Sequence, residues 1–216
     1  MKEYHKIQTV FLRDPETKFK TLLEGQFAKP EFAYLRSNKW VFTEKVDGTN
    51  IRVRINHYEE EEPIAFQGKT DRAQIPTFLL SSLEELFKSG KALEVFDGPV
   101  CLYGEGYGPK IQKGGGNYRR DPSFVLFDIR VGNWWLTRES VEEIGGELGL
   151  DVVPVIGEGT LHDMVELTRQ GFNSQWGDFV AEGIVARPKI ELCGRDGKRI
   201  ITKIKYKDFP IEGGPR

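Results

Sequence analysis

The sequence predicts one α+β domain built on antiparallel strand pairs, and three observations carry that expectation. Apolar residues alternate with period two in several short runs separated by Gly-, Asn- and Asp-containing turns, which is the pattern of strands and hairpins. Helical spacing is confined to three segments. No internal repeat, low-complexity linker or composition break divides the 216 residues, and such a mixture of strands and helices argues a single α+β domain.

The elements follow in order. The run "WVFTEKVDGTNIRVRI", Trp40–Ile55, alternates on both sides of Asp47-Gly48 and reads as an antiparallel pair closed by that turn. The acidic run Glu59–Glu62 reads as a solvated loop, and "IAFQGKT" as a short strand ending near Thr70. From Thr77 to Lys91 the residues Phe78, Leu79, Leu83, Leu86 and Phe87 recur at helical spacing, and "SGK" supplies a helix stop. "PVCLYGEGYG" resumes as a strand. A Gly-rich loop, "GPKIQKGGGNYRRDP", then leads into "SFVLFDIRVGNWWL", a strand with a Gly-Asn turn and its return. Helices are expected over Arg138–Leu148 and Leu161–Gln170. "FVAEGIVARPK" and "RIITKIKYKDF" read as the last two strands, joined by the polar turn "CGRDGK".

Composition narrows the class. A formal net charge of −2 gives no global electrostatic case for nucleic acid, so any such case rests on local clusters. Cys101 and Cys193 have neither metal-ligand spacing nor a disulfide framework around them, which fits free thiols in a reducing compartment. The N-terminus lacks an apolar stretch and a cleavage site, and no apolar run approaches the roughly 20 residues needed to span a bilayer. A cytoplasmic protein without membrane attachment is the expectation.

Chemistry-bearing residues stand out against this background. Lys45 ends one strand, and Gly48 permits a turn where a backbone can approach a ligand, with Asp47 and Asn50 beside the amine. A lysine acts as a nucleophile only when partly deprotonated, which burial or neighbouring cations can bring about. Taken alone, a hairpin with an exposed lysine accounts for the stretch equally well. Glu105 ends a strand between glycines in "LYGEGYG", and Glu182 does the same in "AEGIVAR". Lys203 and Lys205 lie two residues apart, on one strand face, so both amines can point at one ligand. "GKTDR" offers Arg72, and "SFVLFDI" presents Phe127 on a strand with Val125 and Ile129 on the same side. Each has a plainer account: solvated glutamates, a charged strand edge, a core phenylalanine.

Their order changes the reading. Lys-x-Asp-Gly, then Arg72, Gly-Glu-Gly, Phe-Asp, Glu-Gly-x-Val and Lys-x-Lys resembles the ordered motif set of the covalent nucleotidyltransferases, the superfamily of ATP-dependent ligases and mRNA-capping guanylyltransferases. "EKVDGTN" and "YGEGYGPKIQKGGGNYR" are similar to the RNA ligase 2-like family, which includes phage RNA ligases and trypanosome RNA-editing ligases. The similarity runs from Val41 to Lys207. Asp47 departs from it, standing where several members carry His; Asp is the commoner choice among DNA ligases.

The resemblance implies an adenylation domain with antiparallel sheets flanked by helices and a nucleotide pocket between the sheets. Residues 1–216 would form that one domain, with no evident OB or C-terminal accessory domain. Lys45 would attack the α-phosphate of ATP to form lysine–AMP and release pyrophosphate. AMP would pass to a 5′-phosphate end, and a 3′-hydroxyl would displace it to seal RNA ends, in a nicked duplex or between single strands, as in RNA repair. Lys203 and Lys205 would neutralise phosphate charge, and Glu182 would hold Mg2+ or Mn2+. Glu105 would bind ribose hydroxyls, Arg72 and Asn50 ribose or phosphate oxygens. Phe127 would stack on adenine, and backbone groups around Glu44 and Val46 would read its edge. Whether the domain seals alone or with a partner protein stays open. So do two rivals, a DNA ligase catalytic domain and a non-catalytic nucleic-acid-binding module; a capping guanylyltransferase using GTP is disfavoured, since the OB domain expected to close over GTP is not evident in this sequence.

Two basic clusters offer a surface for nucleic acid. Between Ala186 and Lys207, eight cations (Arg187, Lys189, Arg195, Lys198, Arg199, Lys203, Lys205, Lys207) face two acids, Glu191 and Asp196. Lys110, Lys113, Arg119 and Arg120 form a second basic loop after Glu105. Phosphate neutralisation by either would make binding salt-dependent.

Overall fold

A computed structural model of the chain describes residues 2–56, 58 and 61–209. In chain order the first elements are β1 (Gln8–Thr9), β2 (Phe11–Arg13), β3 (Leu22–Phe27), α1 (Pro30–Tyr34), β4 (Trp40–Glu44), β5 (Thr49–Ile55) and β6 (Ile64–Gln67). Next come α2 (Thr77–Phe87), α3 (Lys91–Val95), β7 (Val100–Tyr107), β8 (Ser123–Val131), β9 (Trp134–Trp135) and α4 (Arg138–Leu148). The last are β10 (Asp151–Val152), β11 (Val155–Gly159), α5 (Leu161–Gln170), β12 (Gly183–Pro188) and β13 (Thr202–Lys205). The architecture is α+β, as expected.

These elements gather into two compact units. The first takes Asp47–Val153 together with the N-terminal residues up to Tyr4; the second takes His5–Val46 and the chain from Pro154 onward.

The first unit is a sheet in the order β10-β8-β7-β5-β6, with β9 returning on β8. All its pairings are antiparallel except β8 with β10. Alternation puts Ile51, Val53 and Ile55 of β5 and Leu102 of β7 on the face that meets Leu79, Leu83 and Phe87 of α2. Burying side chains of this size contributes roughly 1.5–3 kcal/mol each. The helical periodicity stops at Phe87, and Gly90 at φ 71° separates α2 from the short α3, which periodicity did not suggest.

The second unit holds a sheet in the order β1-β13-β12-β4-β11 and a separate hairpin of β2 and β3. Its core joins Trp40 and Phe42 of β4 and Ile184 and Ala186 of β12 to Leu161, Met164 and Val165 of α5. Thr160 caps α5 through a reciprocal pair with Asp163, the start signal that the sequence carries.

The antiparallel pair expected across Asp47-Gly48 is not formed. β4 pairs with β11 and β12, whereas β5 pairs with β6 and β7. Alternation identifies a strand but not its partner, and here the turn passes the chain from one sheet into another. Of the acidic run, Glu59 and Glu60 lie outside the described residues; Glu61 and Glu62 are exposed and in no strand. Both cysteines are free, and no helix among the described residues is long and apolar enough to cross a membrane.

Glu44 fixes the end of β4. It is 1% exposed, and its carboxylate accepts the Ser174 hydroxyl at 2.6 Å and the Gln175 N–H at 2.8 Å. Burial pushes the carboxyl up despite those two donors. The folded chain therefore holds this proton more tightly than the unfolded one. Stability from Glu44 is complete below the unfolded carboxyl value and is lost as pH rises through the raised one. Thermal melts of the parent and Glu44→Gln between about pH 5 and about pH 8 are expected to diverge, the variant gaining relative stability as pH rises. A difference independent of pH would contradict this account.

Candidate active site

Lys45 and its surroundings are built by three adjacent strands of the second unit. β12 runs between β4 and β13, with Ile184 opposite Glu44 on one side and Gly183 opposite Lys205 on the other. The Lys45 N–H donates to Gly183 O at 2.9 Å, and the Tyr206 N–H donates to Glu182 O at 2.9 Å. The residue just before β12 is thus held beside the lysine that follows β4 and the lysine that ends β13. Gly183 is required by this packing, since a Cβ there would lie 2.1 Å from Ile204 O.

Glu182 consequently meets two ammonium groups. Lys45 Nζ lies 2.5 Å from Oε2, and Lys205 Nζ lies 2.6 Å from Oε1. The side chains are 17%, 23% and 10% exposed for Lys45, Lys205 and Glu182, so the group is largely shielded yet open to a ligand. With all three ionised, two positive charges and one negative leave the trio one unit positive. Lys45 Nζ also donates to Val46 O at 3.3 Å. On β13, Thr202 and Ile204 are buried while Lys203 and Lys205 take the opposite face, as strand alternation requires. The Glu44 N–H is committed to Pro154 O at 3.0 Å, so it is not a donor for a base edge.

The first unit positions the remaining candidates. Asn50 on β5 faces Glu105 on β7 in register. Gly48 lies against the same strand, where a Cβ would sit 2.3 Å from Gly106 O and 2.6 Å from Glu105 Cγ. Asn50 Oδ1 is buried and has no hydrogen-bond partner among the described residues. A buried acceptor left unmade costs about 1–3 kcal/mol, which a ligand donor such as a hydroxyl would relieve. Arg72 lies on an exposed turn and makes no ion pair among the described residues. Sequence reasoning missed the arginine that braces this turn. Arg52 is fully buried, its Nε donating to Gly68 O at 2.8 Å and its Nη2 to Asp71 Oδ1 at 2.9 Å. A charged residue at an interior position of an apolar strand was its only signal.

Asp128 pairs with Tyr103 and Leu126 with Gly104, so Phe127 falls on a bulge with no opposite residue. The extra residue reverses the alternation: Leu126 and Ile129 both enter the core of this unit, while Phe127 does not. Phe127 and Ile129 therefore do not share a face. Such bulges re-aim side chains at functional sites. The Phe127 ring meets Tyr4 edge-on at 5.1 Å, and Tyr4 in turn packs on Tyr103 and Trp135 and donates its hydroxyl to Asp128.

A divalent ion has no protein cage here: no group of three or more His, Cys, Asp or Glu converges among the described residues. A lone carboxylate such as Glu182 suits Mg2+ or Mn2+ only as an ion that keeps most of its ligands from phosphate and water.

Four cations of the cluster of eight are in ion pairs within the fold. Lys189 shares Glu158 with Lys39, at 3.0 and 2.7 Å, and these two donors, Lys39 first, hold the Glu158 carboxyl below its ordinary value. Lys198 pairs with Asp196 at 2.8 Å, Arg199 is buried beside Glu191, and Lys205 belongs to the Glu182 trio.

Comparison with known proteins bears on this arrangement. The RNA ligase family model matches residues 38–206, which span every strand from β4 to β13. No curated protein sequence matches the chain. Solved structures do share its fold. A variant of the Naegleria gruberi RNA ligase with ATP and manganese superposes with a TM-score of 0.66 at 16% identity, covering 95% of this chain and 56% of that one. A second variant of that ligase, also with ATP and manganese, gives 0.66 at 18% identity over 95% and 56%. The same ligase with pyrophosphate gives 0.62 at 17% identity over 95% and 56%. The chain thus spans a little over half the length of these ligases. The family match covers well over half of the sequence, and this chain belongs to the RNA ligase family.

Proposed function

We propose that the chain is the adenylation domain of an ATP-dependent RNA ligase that works through a covalent lysine–AMP intermediate on Lys45. The observation that carries this reading is the bridged trio, Lys45 and Lys205 on the two oxygens of Glu182. Similar folds hold ATP with manganese, AMP with manganese, and pyrophosphate, which are the substrate, adenylate and leaving group of such a first step.

In this mechanism Lys45 Nζ forms a P–N bond to the α-phosphate as the bond to the β-phosphate oxygen breaks and pyrophosphate leaves. The amine must give up a proton to attack, and Glu182 Oε2 already accepts a hydrogen bond from it. The unit positive charge of the trio, with Lys203 on the same strand face, favours the anionic phosphates as negative charge develops on the leaving group. Mg2+ or Mn2+, when bound with Glu182 as its protein ligand, would supply Lewis-acid neutralisation of phosphate oxygens. Glu105 and Asn50 serve ribose hydroxyls, the buried Asn50 Oδ1 being the acceptor that a hydroxyl would satisfy. Arg72 meets phosphate or ribose oxygens, and Phe127 stacks on the base, a contact worth roughly 1–3 kcal/mol. Backbone groups at Val46, with those of Glu44 other than its committed N–H, read the adenine edge. AMP then moves to a 5′-phosphate, and a 3′-hydroxyl seals the RNA, in cytoplasmic repair with or without a partner protein.

Three measurements test this. Incubation with α-labelled ATP and magnesium is expected to leave label covalently on the chain, retained through denaturing electrophoresis and alkali but released by acid as from a phosphoramidate, and Lys45→Ala to abolish it; persistent label on the variant would remove Lys45 from its role. Lys205→Ala is expected to slow labelling about 100-fold, the usual loss for one donor to developing charge. On a panel of nicked duplexes, sealing is expected to require a ribose at the 3′-hydroxyl end; indifference to that sugar would favour a DNA ligase.

A further inference from the structure

The two basic clusters named from the sequence differ in one respect that only the structure reveals: which cations already have partners. In the loop between β7 and β8, Lys110, Lys113 and Arg120 are exposed and make no hydrogen bond or ion pair among the described residues. The fourth cation, Arg119, is used to build the loop. Its Nη1 donates to Asp151 at 3.0 Å and to the Tyr107 hydroxyl at 3.2 Å, and its guanidinium lies over the Tyr107 ring at 5.6 Å.

The loop is also tied to the turn that follows Lys45 in the chain. Gln112 Nε2 donates to Gly48 O at 3.1 Å, and the Asp47 N–H donates to the Tyr118 hydroxyl at 3.1 Å. Lys110 itself takes a left-handed backbone at φ 66°, uncommon for a residue with a side chain. A hydrogen-bonded turn, Ile111 N–H to Gly108 O at 3.4 Å, and the 3-10 turn Gly115–Asn117 complete an ordered loop. Three unspent positive charges are thus carried on a framework fastened to the residues immediately after the nucleophile.

We infer that this loop grips the phosphate backbone of the RNA strand to be joined. The inference rests on the ligase reading and names the strand-binding element within it. Separate exposed cations suit the repeating phosphates of a polymer, whose condensed counterions they release. A triphosphate takes convergent donors instead, and the Glu182 trio offers those. The paired cations of the other cluster have little counterion release left to give.

The test measures binding of a 5′-phosphorylated RNA, as single strand and as nicked duplex, across a salt series. The full chain is compared with a variant carrying Lys110→Gln, Lys113→Gln and Arg120→Gln, both checked for equal melting temperature. Loss of three phosphate contacts is expected to make the slope of log affinity on log salt shallower by about 2 for the single strand and by about 2.7 for the duplex. Lys189→Gln with Lys198→Gln, in the spent cluster, is expected to leave the slope nearly unchanged. An unchanged slope in the loop variant, whether or not its ATP requirement rises, overturns the inference. Labelling of Lys45 in the parent chain is a separate readout, so the ligase reading can stand when the loop assignment falls.

Discussion

Much of the second unit depends on one carboxylate having two ammonium partners. Glu182 is one-tenth exposed, and a carboxylate that shielded is costly to ionise without compensation. Lys45 and Lys205 supply it from both sides, and the register of β4, β12 and β13 leaves them little choice of position. The backbone bonds at Gly183 and Glu182 O lock that register within two residues of the charges. Removing one lysine would leave the other paired, whereas removing Glu182 would leave two like charges facing each other. The carboxylate is therefore the structural keystone of the trio even though the chemistry is proposed for an amine.

The first unit solves a different problem, presenting polar groups from a sheet whose other face is packed. Arg52 keeps its guanidinium fully buried by giving it a carbonyl and a carboxylate, so the turn carrying Arg72 rests on a satisfied charge. The bulge at Phe127 withdraws one aromatic ring from a strand otherwise committed to the core. Asn50 Oδ1 remains the unsatisfied member, a small local instability placed opposite Glu105. Only the bulge departs from strand alternation; Asn50 and Arg52 lie on the face of β5 opposite Ile51, Val53 and Ile55, where alternation puts them.

This separates what the sequence made legible from what it did not. Both longer helices after residue 137 begin and end where periodicity, capping residues and glycine stops put them, because those signals are local. The strands β4 to β9, β12 and β13 were legible for the same reason, whereas β1, β2, β3, β10 and β11 were not named, and neither was the partner of β4, since pairing is decided by residues more than a hundred positions away in β11 and β12. Lys45, Glu182 and Lys205 stood out through the resemblance of their ordered motifs to a known superfamily, and the fold brings the three side chains together. Glu182 was expected as a metal ligand, and its two-lysine bridge needed coordinates, as did the buried carboxylate of Glu44. The bulge was invisible because "SFVLFDI" alternates too weakly to reveal a slip of one residue.

Charge counting failed for a physical reason that applies to any surface patch. Eight cations against two acids within twenty-two residues suggest a strong field, but the acids that matter need not be near in sequence. Glu158 lies some thirty residues before Lys189 and takes both it and Lys39, because β11 and β12 flank β4 in one sheet. A cation so paired has its field reduced and releases fewer counterions when a phosphate arrives, although two lysines on one carboxylate still leave one unit of positive charge. The loop after β7 has fewer charges, yet three of its four are unspent. What a nucleic acid responds to is the charge left over after folding, and by that measure the loop keeps three of its four cations unpaired among the described residues, where the larger cluster has four of eight in ion pairs.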